Sequence, residues 1–183
     1  MIILMPDCGT SAYLNLQTAG SPVFGYEFGV QHYETFLMHD LKEHVINTFH
    51  VRQGRWAIGG HSMGGYGAMR LGCKYPDRFA SIWAHSGAFH FRSPTPPQPD
   101  QPDDTELSTL LDGLRHAKDP PRISFDCGVD DFLYSQSLRL HANLLARGIE
   151  HHYAENPGGH TWDYWDRHLP EALAQHQRVF NEE

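Results

Sequence analysis

Cysteine is scarce in this chain. Cys8, Cys73 and Cys127 are too few, too scattered and too odd in number for a disulfide framework. They read as small buried hydrophobes in the reducing cytoplasm. Long apolar runs are absent as well, and none approaches the ~20 residues of a membrane-spanning helix. The N-terminus, MIILMPDCGT, has neither the basic region nor the apolar stretch of a signal peptide. Basic charge is outweighed: 14 Lys and Arg stand against 22 Asp and Glu, a formal net charge of −8. Without a basic patch, nucleic acid is not an expected partner. No HExxH or CxxC gathers the 14 histidines, and the adjacent His151 and His152 would face opposite sides of a strand. No metal site is expected. The phosphate loops GxxxxGK[ST] and GxGxxG are also missing, and no cofactor is expected.

What is present suits one packed domain over residues 1–183. Apolar residues make up 40% and aromatics 12% of the 183 residues, enough to build a core. Ile2–Met5 reads as a short buried parallel strand that stops at Pro6-Asp7. Residues Cys8 to Gln31 read as a long loop. Between Tyr33 and Phe49, Leu37, Leu41, Val45 and Phe49 recur every four residues, which predicts a helix with Lys42, Glu43 and Asn47 turned outward. Trp56–Ile58 predicts a strand and Gly65–Lys74 a helix, ended by Tyr75-Pro76-Asp77. Phe79–Ala84 predicts another strand. Residues 93–105 are rich in proline and aspartate and read as an exposed loop. Beyond it, a short helix at Leu107–Leu114, a strand at Arg122–Cys127, a helix at Tyr134–Ala146, a strand at Ile149–Tyr153 and a final helix from Trp162 to Phe180 are expected. About five strands alternate with helices, which is the pattern of an α/β fold with a mostly parallel sheet flanked by helices. In such sheets the loops at the strand ends carry the ligand.

One of those loops carries chemistry. Gly60-His61-Ser62-Met63-Gly64 fits the G-x-S-x-G nucleophile elbow between a strand and a helix. Serine there sits on a tight, strained turn, and side chains two residues before and after it would collide, hence the glycines. The helix begins at once, so the Met63 backbone N–H is the expected oxyanion donor. A serine hydroxyl needs a base, and the base an orienting carboxylate. In chain order these follow as Asp or Glu, then His. His160, in the Pro157-Gly158-Gly159 turn and near Trp162 and Trp165, is the candidate base. Asp131 is the candidate acid, with Asp130 its direct competitor and a helix N-cap its other reading. His85, His151 and His152 read as packing or surface residues.

With these residues in hand, the chain resembles the esterase D-like branch of the α/β hydrolases. That branch takes in S-formylglutathione hydrolases, tributyrin-type carboxylesterases and, more distantly, mycolyltransferases. The matching residues are Met5-Pro6-Asp7, Gly60 through Ala68, Lys74-Tyr75-Pro76-Asp77, Ser86-Gly87, Cys127 through Leu133, and Gly158 through Trp165. The resemblance implies Ser62 as nucleophile, His160 as base, Asp131 as acid, and a short-acyl ester or thioester as substrate. It also implies an N-terminally shortened α/β-hydrolase sheet, because members carry three more strands before the one matching Ile2–Met5. The third of these leads to the second oxyanion donor. A replacement donor near Gly9 or Thr10 is the expectation, and so is a homo-oligomer covering the unpaired edge of the first strand. The expected activity is a serine carboxylesterase on a small-molecule ester. The rivals are an acyltransferase with the same triad, a catalytically impaired binding domain, and a peptidase.

Overall fold

The computed structural model describes residues 1–7, 9, 11, 13–16, 21–23, 26–51, 54–89 and 105–182. The chain forms two compact units, residues 1–54 and 55–183.

In the first unit, β1 (Asn15–Leu16) pairs antiparallel with β4 (Gln31–His32), and β2 (Ser21–Val23) with β3 (Tyr26–Phe28). Part of the expected loop is therefore short antiparallel ladder. The Asn15 side chain fastens it: its Nδ2 donates to Thr35 Oγ1 at 2.8 Å and its Oδ1 accepts from the Thr35 N–H at 3.2 Å. The expected strand at Ile2–Met5 does not form. The segment has no regular structure and pairs with no strand among the described residues, and Ile2, Ile3 and Met5 are exposed. A four-residue apolar run becomes a strand only where a neighbour takes up its backbone N–H and C=O groups. The expected helix over Tyr33–Phe49 is interrupted. It consists of α1 (Tyr33–Thr35), a π-helical turn (Phe36–Asp40) and α2 (Leu41–Thr48). The wider π turn shifts the helical phase: Glu34, Met38 and Val45 are buried, Leu37 and Leu41 only half-buried, and Phe49, just past α2, is exposed.

The second unit is built on a parallel sheet in the order β5-β6-β7-β8. The strands are β5 (Trp56–His61), β6 (Phe79–His85), β7 (Arg122–Gly128) and β8 (His151–Asn156). They alternate with α3 (Met63–Lys74), α4 (Thr105–Leu114), α5 (Tyr134–Ala146) and the C-terminal α6 (Trp162–Glu182). Residues 93–104 of the proline-rich stretch lie outside the described residues, and Thr105 opens α4. No helix among the described residues is long and apolar enough to cross a membrane. Right-handed crossovers between neighbouring strands in sequence order place α3, α4 and α5 on one face of the sheet. That side is apolar, with Leu71, Ile82, Phe125, Leu140 and Leu144 fully buried.

The face under α6 is polar, because alternate residues of the strands point there. Ser81 and Ser124 bond the last turns of α6. Gln175 Nε2 donates to Ser81 Oγ at 3.0 Å, Ser124 Oγ donates to Gln175 Oε1, and His176 Nδ1 lies 2.8 Å from Ser81 Oγ. Nearer the strand ends stands Asp126, with no exposed surface. Tyr164 O–H donates to its Oδ1 at 2.9 Å, and Trp83 Nε1–H donates to its Oδ2 at 2.6 Å. His85 Nδ1 comes within 2.7 Å of the same oxygen, off the line of a hydrogen bond. Neutral donors so placed hold a buried carboxylate that would otherwise be costly to desolvate.

The same layer makes stability depend on pH. Ser81 already accepts from Gln175, so its hydroxyl is left to donate to His176 Nδ1, which favours the neutral ring. Burial, and after it the charge of His85, pushes the His176 pKa down to about 4. Its contribution is whole above about pH 6.5 and is lost as pH falls toward 4, because the unfolded chain then binds a proton that the folded chain refuses. Between pH 7.5 and pH 5 the loss is roughly 2 kcal/mol. Urea unfolding at these two pH values is expected to show this drop reduced by about that amount in His176→Gln. An equal drop in both proteins would contradict it.

Candidate active site

The C-terminal ends of β5, β7 and β8 each deliver one residue to a single point. Ser62 lies between the last residue of β5 and the first of α3, with φ 54° and ψ −120°. A non-glycine residue holds such backbone only where its surroundings impose it, at a cost of about 1–3 kcal/mol. Here the Ser62 N–H donates to the His85 carbonyl at 2.9 Å, and the Ser62 carbonyl accepts from Tyr66 and Ala88, both at 3.1 Å. Gly60 makes the turn sterically feasible: a Cβ there would stand 2.6 Å from the Gly64 carbonyl carbon and oxygen. This is the collision that the G-x-S-x-G spacing anticipates. Met63 opens α3, and its N–H has no helical carbonyl to bond.

Asp131 and His160 come from two loops that are bonded to each other. The Val129 N–H donates to the Asn156 carbonyl and the Asp130 N–H to the Gly158 carbonyl, both at 2.9 Å. The loops approach so closely that a Cβ on Gly128 would fall 2.1 Å from the Gly158 oxygen. The Asp131 carboxylate is buried and accepts from the Leu133 N–H at 2.8 Å, a turn just ahead of α5. The N-cap of α5 is Leu133, with no side-chain cap bond, so Asp131 is not the helix cap that its sequence position allowed; its carboxylate serves the preceding turn and the histidine. Asp130 is exposed.

These placements bring Ser62, His160 and Asp131 into one hydrogen-bonded line. His160 Nδ1 lies 2.9 Å from Asp131 Oδ2 and 3.1 Å from Oδ1, and its Nε2 lies 3.0 Å from Ser62 Oγ. With Nδ1–H donating to the carboxylate, Nε2 is left to accept the serine proton. All three residues belong to the second unit. Of the expected replacement oxyanion donors, the Gly9 N–H is already donated to Asp7 Oδ1 at 2.8 Å, and Thr10 lies outside the described residues.

Aromatic rings fix the imidazole. Trp165, nearly buried, meets the His160 ring edge-on at 4.9 Å and 87°, stacks on His61 at 4.2 Å, and donates its Nε1–H to Ser86 Oγ at 3.1 Å. Ser86 is a second residue with positive φ, 47°, and its N–H donates to the Asp126 carbonyl at 2.8 Å. Burial first, then the charges of His85 and His160, lowers the His61 pKa, which keeps that ring neutral near pH 7. Sequence reasoning passed over Asp126, Trp83, Tyr164 and the Trp165–Ser86 bond. An acid within the strand Arg122–Gly128, in a parallel sheet covered on both faces, was the available signal for the first. His85 is buried against Asp126, His151 is half-buried beside His141 at 2.8 Å, and His152 is exposed.

The model of the family described as putative esterase matches residues 1–176. An acetyl esterase of Caldicellulosiruptor saccharolyticus is 30% identical over 173 residues, covering 81% of this chain and 65% of that protein. An S-formylglutathione hydrolase of Paracoccus denitrificans is 33% identical over 84 residues, 46% of this chain and 29% of that protein. The chain thus spans 65% or less of these curated relatives. Among solved structures, the substrate-bound fluorophosphonate-binding serine hydrolase F of Staphylococcus aureus superposes with a TM-score of 0.72 at 25% identity, over 90% of this chain and 67% of that one. The four-stranded parallel sheet flanked by helices is therefore an α/β-hydrolase sheet, and the chain belongs to the putative esterase family.

Proposed function

We propose that the chain is a serine carboxylesterase acting on short-acyl esters through Ser62, His160 and Asp131. The observation that carries this reading is the hydrogen-bonded line from Asp131 through His160 to Ser62 Oγ. The likeness to an acetyl esterase supports a short acyl group, and that to an S-formylglutathione hydrolase extends the reading to thioesters.

In the first step His160 Nε2 takes the Ser62 proton as Oγ attacks the carbonyl carbon. The Met63 N–H stabilises the oxyanion. The intermediate collapses, His160 returns the proton to the departing alkoxide, and an acyl-serine remains. Water then repeats the sequence, with His160 as base toward water and acid toward Ser62, and releases the carboxylic acid. Asp131 holds the imidazole tautomer and stabilises the imidazolium. These groups complete the reaction without a cofactor. Free, buried Cys73 and Cys127 support the cytoplasmic setting expected from the sequence.

The first test is hydrolysis of p-nitrophenyl acetate and butyrate. Wild type is expected to turn both over, Ser62→Ala to lose about 10⁶-fold in kcat, and Asp131→Asn about 10⁴-fold by stabilising the wrong tautomer. A folded wild type that is inert, or a Ser62→Ala protein that is as active as wild type, would overturn the reading. The homo-oligomer is proposed on a new ground. The edge for it is β5, which pairs with β6 on one side and with no strand on the other among the described residues. Light scattering at high concentration is expected to give a dimer mass or greater, and a clean monomer would count against it.

A further inference from the structure

Two large aromatic side chains stand open to solvent beside the site: Phe132 is 74% and Trp162 is 66% exposed. They rest on different partners. Trp162 meets His61 at 4.9 Å and Trp165 at 5.2 Å. Phe132 meets His160 itself, with ring centroids 4.5 Å apart and the planes at 48°. Its position follows from the chain, because it comes directly after Asp131, whose buried carboxylate fixes both the loop and the imidazole. A phenyl ring left in water beside the proton-transferring group has an apolar face with no packing to do within the described fold.

The chemistry of ester cleavage says which part of a substrate meets that face. When the C–O bond breaks, His160 Nε2 donates its proton to the departing oxygen, which must then lie within about 2.6–3.2 Å of Nε2. The carbon group on that oxygen is thereby brought beside the imidazole. The acyl carbon, in contrast, is bonded to Ser62 Oγ. Among the rings packed on His160 in the described residues, Trp165 is nearly buried behind it and Phe132 is the exposed one. We infer that Phe132 is the contact surface for the leaving alcohol, and that it selects esters whose alcohol carries an aromatic ring one carbon from the oxygen, the arylmethyl esters. Offset or edge-on packing of such a ring on Phe132 distinguishes it from a saturated ring of equal size, whose hydrogens lack the complementary quadrupole. This rests on the esterase reading above and adds the alcohol half of the substrate to it.

The test compares benzyl acetate with cyclohexylmethyl acetate, which share the acyl group and release primary alcohols of similar size. In wild type kcat/KM is expected to favour benzyl acetate roughly three- to tenfold. In Phe132→Leu, which keeps apolar bulk without the ring, and in Phe132→Ala the ratio falls to about one, whatever the absolute rates. A ratio near one in wild type, or an unchanged ratio in both variants, overturns the inference. A wild type that cleaves no ester overturns the esterase reading instead. The subsite is then decided by titrating benzyl alcohol and cyclohexylmethanol into the protein with NMR observation of the His160 ring. Ring-selective shifts that vanish in Phe132→Ala support it, and equal or absent shifts overturn it.

Discussion

β5 ends at His61 and α3 begins at Met63, so one residue must reverse the chain, and that residue is Ser62. Its φ of 54° is unfavourable for any side chain larger than hydrogen. Neighbouring strand β6 fixes it, since the His85 carbonyl takes the Ser62 N–H while Ala88 and Tyr66 take up its carbonyl. The contact of Gly60 with Gly64 closes the turn from beneath. In the proposed mechanism, a nucleophile on backbone so constrained does not have to be ordered when a substrate arrives, which is where positioning lowers a barrier.

The other two members of the line depend on a different constraint, the mutual bonding of the loops after β7 and β8. Neither loop is anchored by its own sequence alone. Asp130 and Val129 donate backbone N–H groups across to Gly158 and Asn156, and the missing side chain at Gly128 lets them approach. Beneath both loops, the buried Asp126 gathers Trp83 from β6 and Tyr164 from α6, so the start of α6, with Trp165 against His160, is held to the sheet by hydrogen bonds. A polar layer in the interior orients elements more narrowly than an apolar one, because each donor has one acceptable partner geometry.

The elbow was legible because its steric requirement is local: both glycines and the serine lie within five residues. β5, β6 and β7 were legible from their apolar residues, although β5 extends into Gly59-Gly60-His61; the strand expected at Ile149–Tyr153 is shifted, since β8 leaves out Ile149 and Glu150 and runs on through Ala154 to Asn156. The choice between Asp130 and Asp131 was not legible from spacing, because adjacent residues in a turn diverge by a backbone rotation that only the bonded loop fixes. Ile2–Met5 misled, since an apolar run reports burial preference and says nothing of a ladder partner. The π turn at Phe36–Asp40 hid behind a four-residue repeat that fits an α-helix equally well. Asp126 escaped because its donors, Trp83 and Tyr164, lie 43 and 38 residues away in the chain.

The central claim is that Ser62 alone among the hydroxyls is activated by His160. Intact-protein and peptide mass spectrometry after treatment with a fluorophosphonate tests it most directly. The account predicts a single adduct, carried by the peptide containing Ser62 and formed far more slowly when His160 is replaced by Gln. A folded protein that stays unlabelled, or an adduct on another residue at the same rate with Ser62 untouched, would contradict it.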